Sequence, residues 1–409
     1  MSVVSEVTTP GAGPSPSALD HTALDSAGNN SAGLDSAALA RAVQIAARHA
    51  AEADATGRLA PQVVEALREA GFARHFVGAR WGGAEGTFTD LTAGVLALGR
   101  ACASAAWTAS LSAYSSRYAS HLPEEGHAAL WGPTPDAFVV AGLVPGGSAE
   151  AADGGWRLSG SWGYVSGVEF ADWALLCAPA SVSGADPEPY FFALARGSFK
   201  ILETWDSVGM RATGSHTVVA DDVFVPAHLA FPRSHMITGV SPASSAACHN
   251  VPFQAVGGLT FIAPAVGAAE GALAAASAAL AGKRRTPGTD IELVRASGQV
   301  DVSRHLVEQN AAMLDAATFT PALMARNERN AVFAAELVAQ AVAALATAAG
   351  TSGYSESAPL QRFWRDVTVM SSHIALRYET AAVRTYPPVL FAGHREGTQR
   401  RNTTGNEDN

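Results

Sequence analysis

Gly154-Gly-Trp-Arg-Leu-Ser-Gly-Ser-Trp162-Gly-Tyr-Val-Ser166-Gly167 is the stretch on which the reading of this chain turns. Asp153-Gly154-Gly155 is a turn signal, and the residues from Trp156 to Ser159 alternate apolar with polar, the two-residue period of a strand. Outward from it lie further short runs of the same kind: Ala137–Val144, Trp173–Cys177, Tyr190–Leu194 and Val218–Val225. Together they predict an antiparallel β-domain of about 95 residues.

On both sides the period becomes helical. Asp35 stands as an N-cap before the apolar stripe of Leu39, Val43, Ile45 and Ala46. Pro61–Glu69 reads as a second helix, with Pro61 in the first turn and Gly71 as its stop. Asp90–Cys102 and Ser104–His121 follow, then a short helix ending near Trp131. Beyond Pro226 four long segments, 253–282, 289–327, 329–349 and 358–390, predict an antiparallel bundle. The expected organisation is a tail at 1–33, a helical domain at 34–134, a β-domain at 135–230, a helical bundle at 231–394 and a polar tail at 395–409. The tails carry too few apolar side chains to order themselves. The predicted fold class is mainly α with a middle β-domain.

The composition narrows the function. Apolar residues make up 48% and charged residues 16%, and alanine, the best helix former, is abundant. Such helices must bury much apolar surface, which predicts a homo-oligomer. The net charge of −10, from 27 basic and 37 acidic residues, leaves no basic footprint for nucleic acid. Cys102, Cys177 and Cys248 are far apart and suit a reducing cytoplasm. No secretory signal is read at the N-terminus. The apolar run Phe333–Ala349 holds Glu336 and Gln340, so it predicts a buried helix and no membrane span. No GxGxxG, GxxxxGK[ST], HExxH or GxSxG motif occurs, so no nicotinamide domain, nucleotide-hydrolysing site, metal centre or serine nucleophile is expected. Chemistry must then come from a bound cofactor or from a few well-placed side chains.

Several blocks resemble one family in order. Trp81-Gly82-Gly83 is similar to a glycine-rich entry loop, and Cys102-Ala-Ser-Ala-Ala-Trp107 to a helix start of the two-component aromatic hydroxylases. The stretch 155–167 resembles their GGWRLSGxWxxxSG block, and Trp205-Asp-Ser-Val-Gly-Met-Arg211-Ala-Thr213-Gly-Ser215 their WxxxGMRxTGS block. Asp222-Val-Phe-Val-Pro226 closes the β-domain, and Gln361-Arg-Phe-Trp-Arg365-Asp366 with His373 resembles RxxRD…H. Over residues 35 to 390 the chain resembles the oxygenase components of two-component (group D) flavin-dependent monooxygenases on the acyl-CoA dehydrogenase fold. Within them it is most similar to hydroxylases of aromatic polyketides of the actinorhodin type.

The resemblance implies reduced FMN, with FAD as the alternative, supplied by a separate NAD(P)H:flavin reductase. It implies a homotetramer that uses molecular oxygen to hydroxylate a phenolic or quinone ring through a flavin C4a-hydroperoxide. Its alternatives are an acyl-CoA dehydrogenase-type oxidoreductase, whose base would be a glutamate such as Glu379 after Tyr378, and an N-hydroxylase of an amino sugar.

Site residues follow with their plainer readings. Trp162 and Ser166, on one strand face, offer an apolar wall and a hydroxyl donor for a flavin; alone they read as a core indole and a turn serine. Arg211, Thr213 and Ser215 suit a flavin phosphate, or simply a surface turn. His373, on the face of the last long helix with Arg365 and Asp366, suits a general base for a phenol; the alternative is a capping or core histidine. Trp107, Ser110, Tyr114 and Ser115 either line the substrate pocket or pack the core. Ser115 stands where related phenol hydroxylases often carry a histidine, which favours a larger, fused-ring substrate.

Overall fold

The computed structural model describes residues 33–181 and 186–392, so the expected tails lie almost wholly outside the described residues. Helix α1, Ser36–Thr56, is capped by the Asp35 carboxylate, which accepts from the Ala38 amide. Its buried stripe is alanine throughout (Ala38, Ala42, Ala46, Ala50, Ala53), and it stops at Gly57 with φ 71°. Helix α2 is Pro61–Glu69, α3 Phe88–Gly99, α4 Ala103–Ala119 and α5 Glu124–Trp131. Helix α4 is buried on nearly every side, so it runs through the middle of the molecule.

Eight strands follow: β1 Val139–Gly142, β2 Ser148–Ala152, β3 Gly155–Val165, β4 Trp173–Ser181, β5 Glu188–Ala195, β6 Lys200–Leu202, β7 His216–Pro226 and β8 Ala230–Pro232. They form one sheet of order β6-β7-β3-β2-β4-β5-β8, with β1 also paired to β4. The expectation of a purely antiparallel sheet is corrected, because β1 and β2 both run parallel to β4. The chain between β1 and β4 is long enough for the crossover that parallel neighbours need. Strands β2, β6 and β8 carry no strong apolar run and escaped the sequence pattern. β3 loses register against β7 between Trp162 and Val165, where Tyr164 takes a left-handed φ of 60°.

The second helical layer comprises α6 Arg233–Thr238, α7 Phe253–Val256, α8 Leu259–Leu280, α9 Pro287–Asp315, α10 Pro321–Ala349 and α11 Pro359–Ser371, then short α12 Tyr378–Ala381 and α13 Tyr386–Leu390. Helix α9 stops earlier than its periodicity predicts. Ala317 turns left-handed, and Pro321, capped by Thr320, starts α10. The segment expected as one helix over 358–390 also breaks, ending at Ser371. Residues 253–280 and 321–349 are long and apolar enough to cross a membrane, and their apolar windows are 72% and 50% buried within the fold.

The first helices meet the bundle through glycine. A Cβ on Gly99 of α3 would lie 2.8 Å from the Gly267 Cα of α8, and one on Gly267 2.5 Å from the Leu96 carbonyl oxygen. Gly267→Ala should therefore force the two backbones apart and cost about 1–3 kcal/mol, as other overpacked sites do. A chemical-denaturation midpoint indistinguishable from wild type would contradict this.

Candidate active site

Helix α4 begins at Ala103, and its second turn buries Trp107 between β3 and α8. The indole Nε1–H donates to Ser166 Oγ at 3.1 Å. Ser166 sits one residue past β3, half-buried, before Gly167 turns left-handed at φ 73°. Its hydroxyl lies 2.7 Å from Ser215 Oγ, which lies 2.7 Å from Thr213 Oγ1, and Thr213 donates to the Met210 carbonyl at 2.9 Å. Four side chains from three segments thus form one unbroken chain.

His373 closes the other side. Its ring stacks on Phe261 of α8 (centroids 4.0 Å, 27°) and meets Trp107 edge-on at 5.7 Å; Trp107 and Phe261 are 5.4 Å apart. His373 is not on the long helix with Arg365 and Asp366. It caps the 3-10 turn Ile374–Leu376, where its Nδ1 accepts from the Ala375 amide at 3.2 Å. Burial holds its pKa down to about 4, so the ring is neutral at neutral pH. A neutral ring that accepts at Nδ1 carries its proton on Nε2. The sequence predicts a general base here; in this tautomer the nitrogen left for a ligand is a hydrogen-bond donor, suited to an anionic oxygen.

The loop holding Met210 to Ser215 is anchored from beneath. The Met210 amide donates to Asp366 at 2.5 Å, and the Arg365 guanidinium spans both oxygens of Asp54 (3.0 and 2.6 Å) while bonding the Val208 carbonyl at 2.5 Å. A Cβ on Gly209 would stand 2.4 Å from the Arg365 carbonyl oxygen, so only glycine fits that approach. Burial pushes the Asp366 carboxyl up to about 6.

This anchoring separates the trio expected at a phosphate. Arg211 commits Nε to the Asp54 carbonyl (2.8 Å) and Nη1 to the Ser207 carbonyl (3.3 Å), pinning the loop to α1. Thr213 and Ser215 turn to Ser166. Trp162 also departs from expectation. The register shift at the end of β3 parts it from Ser166, and its indole is buried, donating to the Cys177 carbonyl at 2.7 Å and packing on Gly142, Gly146 and Gly160. Ser110 donates to the Thr260 carbonyl at 2.7 Å and ties α4 to α8. Tyr114 packs against Phe76 and Phe88 at 5.5 and 6.1 Å, and Ser115 is buried beside it. Of the expected substrate residues, the structure brings only Trp107 to Ser166.

Two residues escaped the sequence reading. Phe261 gives no local signal, since it sits in an apolar helix start. Tyr164 is 81% exposed, left-handed and edge-on to Trp205 at 6.2 Å. Glu379 is exposed on α12, and the neighbouring Tyr378 hydroxyl bonds Glu336 at 2.7 Å. A separate cleft of about 550 Å³ between α2, α5 and β4 is lined by the pairs Arg68–Asp172 and Arg74–Asp136, a polar floor unsuited to an aromatic ring.

The acyl-CoA dehydrogenase N-terminal domain family matches residues 36–126 and its C-terminal domain family residues 259–378. The oxygenase component of an FADH(2)-dependent resorcinol hydroxylase from Rhizobium sp. (strain MTP-10005) is 31% identical over 344 residues, 77% of this chain and 84% of that protein. The 3-HSA hydroxylase of Rhodococcus sp. RHA1 superposes with a TM-score of 0.82 at 27% identity, over 87% of this chain and 96% of its own. XiaF from Streptomyces sp., solved with FADH2 and glycerol, superposes at 0.80 and 26% identity over 87% and 94%. The two matched domain families and these relatives place the chain among the oxygenase components of the two-component flavin-dependent monooxygenases.

Proposed function

We propose that the chain hydroxylates a phenolic, fused aromatic ring of polyketide type, using flavin reduced by a separate NAD(P)H:flavin reductase. The observation that carries this is the aromatic slot at Ser166: Trp107, Phe261 and His373 within 4.0–5.7 Å of one another, with a neutral His373 offering an N–H. The residues present fit a flavin ring. Ser166 is half-buried beside flat apolar walls, Tyr164 stands exposed next to it, and a Cβ on Gly163 would meet nothing closer than 3.8 Å. When bound, reduced flavin supplies the electrons and activates oxygen.

The chain's own residues then have distinct tasks. Ser166 and Trp107 orient the flavin, and the Arg211–Asp54–Arg365–Asp366 anchor keeps the 205–215 loop in place. Phe261 and Trp107 exclude water, which keeps activated oxygen from being lost as hydrogen peroxide. His373 donates Nε2–H to the substrate oxygen, favouring the anion left once the phenol has given its proton to solvent, whose carbon neighbours are the more nucleophilic. Two relatives named above are described with FADH2, and we take FAD first and FMN second. Exposed Val144, Tyr164, Val208 and Val294, each at least 70% exposed in one chain, support burial in a homotetramer. The three buried free cysteines fit a cytoplasmic enzyme.

The test supplies NADH, oxygen, FAD and either resorcinol or a hydroxynaphthoquinone, with and without a flavin reductase. Hydroxylated product is expected only with the reductase, and kcat/KM is expected to be higher for the fused ring. Turnover without reductase would overturn the two-component reading, and a preference for resorcinol the polyketide assignment.

A further inference from the structure

Arg117 is fully buried near the end of α4. Its Nε and Nη2 donate to the Cys248 and Val251 carbonyls at 2.7 and 2.5 Å, and its Nη1 has no partner. Its ionisable neighbours are Tyr118, Tyr114 and Cys248, all weak acids. Burial raises all three further, Cys248 to about 12, so each is neutral at neutral pH. Burial lowers Arg117 as well, yet a guanidinium keeps its proton there. His121 and His249 are lowered by burial and are neutral too. Asp315 and Glu85 stand on this side of α4, but Asp315 accepts from the Phe88 and Thr89 amides (2.7 and 2.9 Å) and Glu85 from the Ala79 amide (2.9 Å). Among the described residues, then, no counter-charge stands beside Arg117. A second donor is open next to it. The Tyr114 hydroxyl, one turn earlier on the same face, is buried without a partner. The Tyr114 ring and the Arg117 guanidinium share the Phe88 ring, at 6.1 and 5.5 Å from its centre.

We propose that Arg117 Nη1 and the Tyr114 hydroxyl bind one monovalent anion beneath residues 239–252. An isolated buried charge is costly, and carbonyls accept its hydrogen bonds without bringing the opposite charge. A water would satisfy the two open donors and leave the charge uncompensated. A halide or a carboxylate oxygen satisfies both, through charge-assisted bonds from N–H and O–H. One negative charge balances the one positive charge, so a divalent anion fits less well. Two sources share this chemistry. One is a halide from solution. The other is a carboxylate on an arm of the substrate, reaching along α4 from the slot at Trp107, which lies about 15 Å away at 1.5 Å per residue. The second source rests on the function proposed above; the site itself does not.

The experiment follows urea midpoints of the full chain at neutral pH and constant ionic strength while chloride replaces methanesulfonate. The wild-type midpoint should rise with chloride and then level off, as mass action requires of a site present only in the folded chain. Arg117→Met should abolish the response. Should that variant fail to fold, Tyr114→Phe carries the test, because it breaks no hydrogen bond within the chain. With one donor gone, half-saturation should need roughly ten- to hundredfold more chloride. Without chloride its midpoint should equal or exceed that of wild type, since an unpaired buried hydroxyl has been removed. A second series adds hydroxynaphthoate or naphthol to chloride-free protein. Stabilisation by the naphthoate and not by naphthol, with the chloride curve displaced, assigns the site to a substrate carboxylate. A response to chloride alone assigns it to a free halide. Wild-type midpoints that stay flat against both probes overturn the inference, as does a Tyr114→Phe variant that answers each probe as wild type does. Either result leaves the flavin reading standing, because neither series contains flavin.

Discussion

His373→Ala is expected to lower hydroxylation by about 10²- to 10³-fold, the usual loss when one donor to a developing oxyanion is removed. Reduced-flavin binding should survive, because the Trp107–Ser166–Ser215–Thr213 chain contains no atom of His373. Oxygen should still be consumed, with hydrogen peroxide replacing hydroxylated product. The donor role is separable from a base role by a second substitution. His373→Gln keeps an N–H that can reach an oxygen but cannot take a proton at neutral pH, so it should retain far more activity than alanine. A pKa near 4 leaves the ring neutral from about pH 5 upward, so no limb of the rate profile near pH 6.5 should belong to it. Glu379→Gln should leave turnover unchanged, since Glu379 is exposed. Product and peroxide yields for the three variants decide the matter. Equal loss in the alanine and glutamine variants, both rescued by higher pH, would return His373 to the role of base.

The order of layers was legible because each is written in a period: 3.6 before residue 132, 2 between 137 and 225, and 3.6 again after 253. Details set by single backbone positions were not. Pro321 marks a helix start, yet the stripe through α9 hid the break before it. The left-handed Tyr164 parts Trp162 from Ser166, although four-residue spacing on a regular strand would keep them on one face. The motif blocks group residues that meet in the fold better than they assign what each atom does. Trp107, Ser166, Thr213, Ser215 and His373 do converge. Arg211 has the chemistry of a phosphate ligand and the geometry of a loop pin, and only the carbonyls of Asp54 and Ser207 tell the two apart. His373 reads as a base by residue type, and the amide of Ala375 makes it a donor. Hydrogen-bond polarity is a property of partners, which sequence spacing does not carry.

A steep loss of stability between about pH 6.5 and pH 4 is expected from four buried histidines and the half-buried His373. Burial is the leading cause in each: it lowers His121 to about 3, His127 and His373 to about 4, and His75 and His249 by direction. Several are held as neutral rings by backbone carbonyls, His75 by Thr87 (2.8 Å), His127 by Ser120 (3.0 Å) and His249 by Phe76 (2.5 Å). The sign follows from the folded pKa lying below the unfolded value of 6.5. In that window the unfolded chain binds more protons, so stability is fully present above pH 6.5 and is lost as pH falls toward the folded values. Each fully shifted histidine contributes about 1.4 kcal/mol per pH unit, and five set an upper bound of about 7 kcal/mol per unit. Asp366 opposes this, since its pKa is raised to about 6 and protonation favours its buried form, but it is one group against five. The opening should begin at the segment 239–252. His121 and His249 tie it to the chain after α4 and to Phe76, beside Arg117, a fully buried cation bonded to the Cys248 and Val251 carbonyls (2.7 and 2.5 Å). Arg117 raises the cost of charging either ring. Urea midpoints at pH 7, 6 and 5 and constant ionic strength measure the effect, and His249→Gln should flatten the profile. Midpoints that stay level from pH 7 to pH 5 would mean that these rings take up protons without opening the fold.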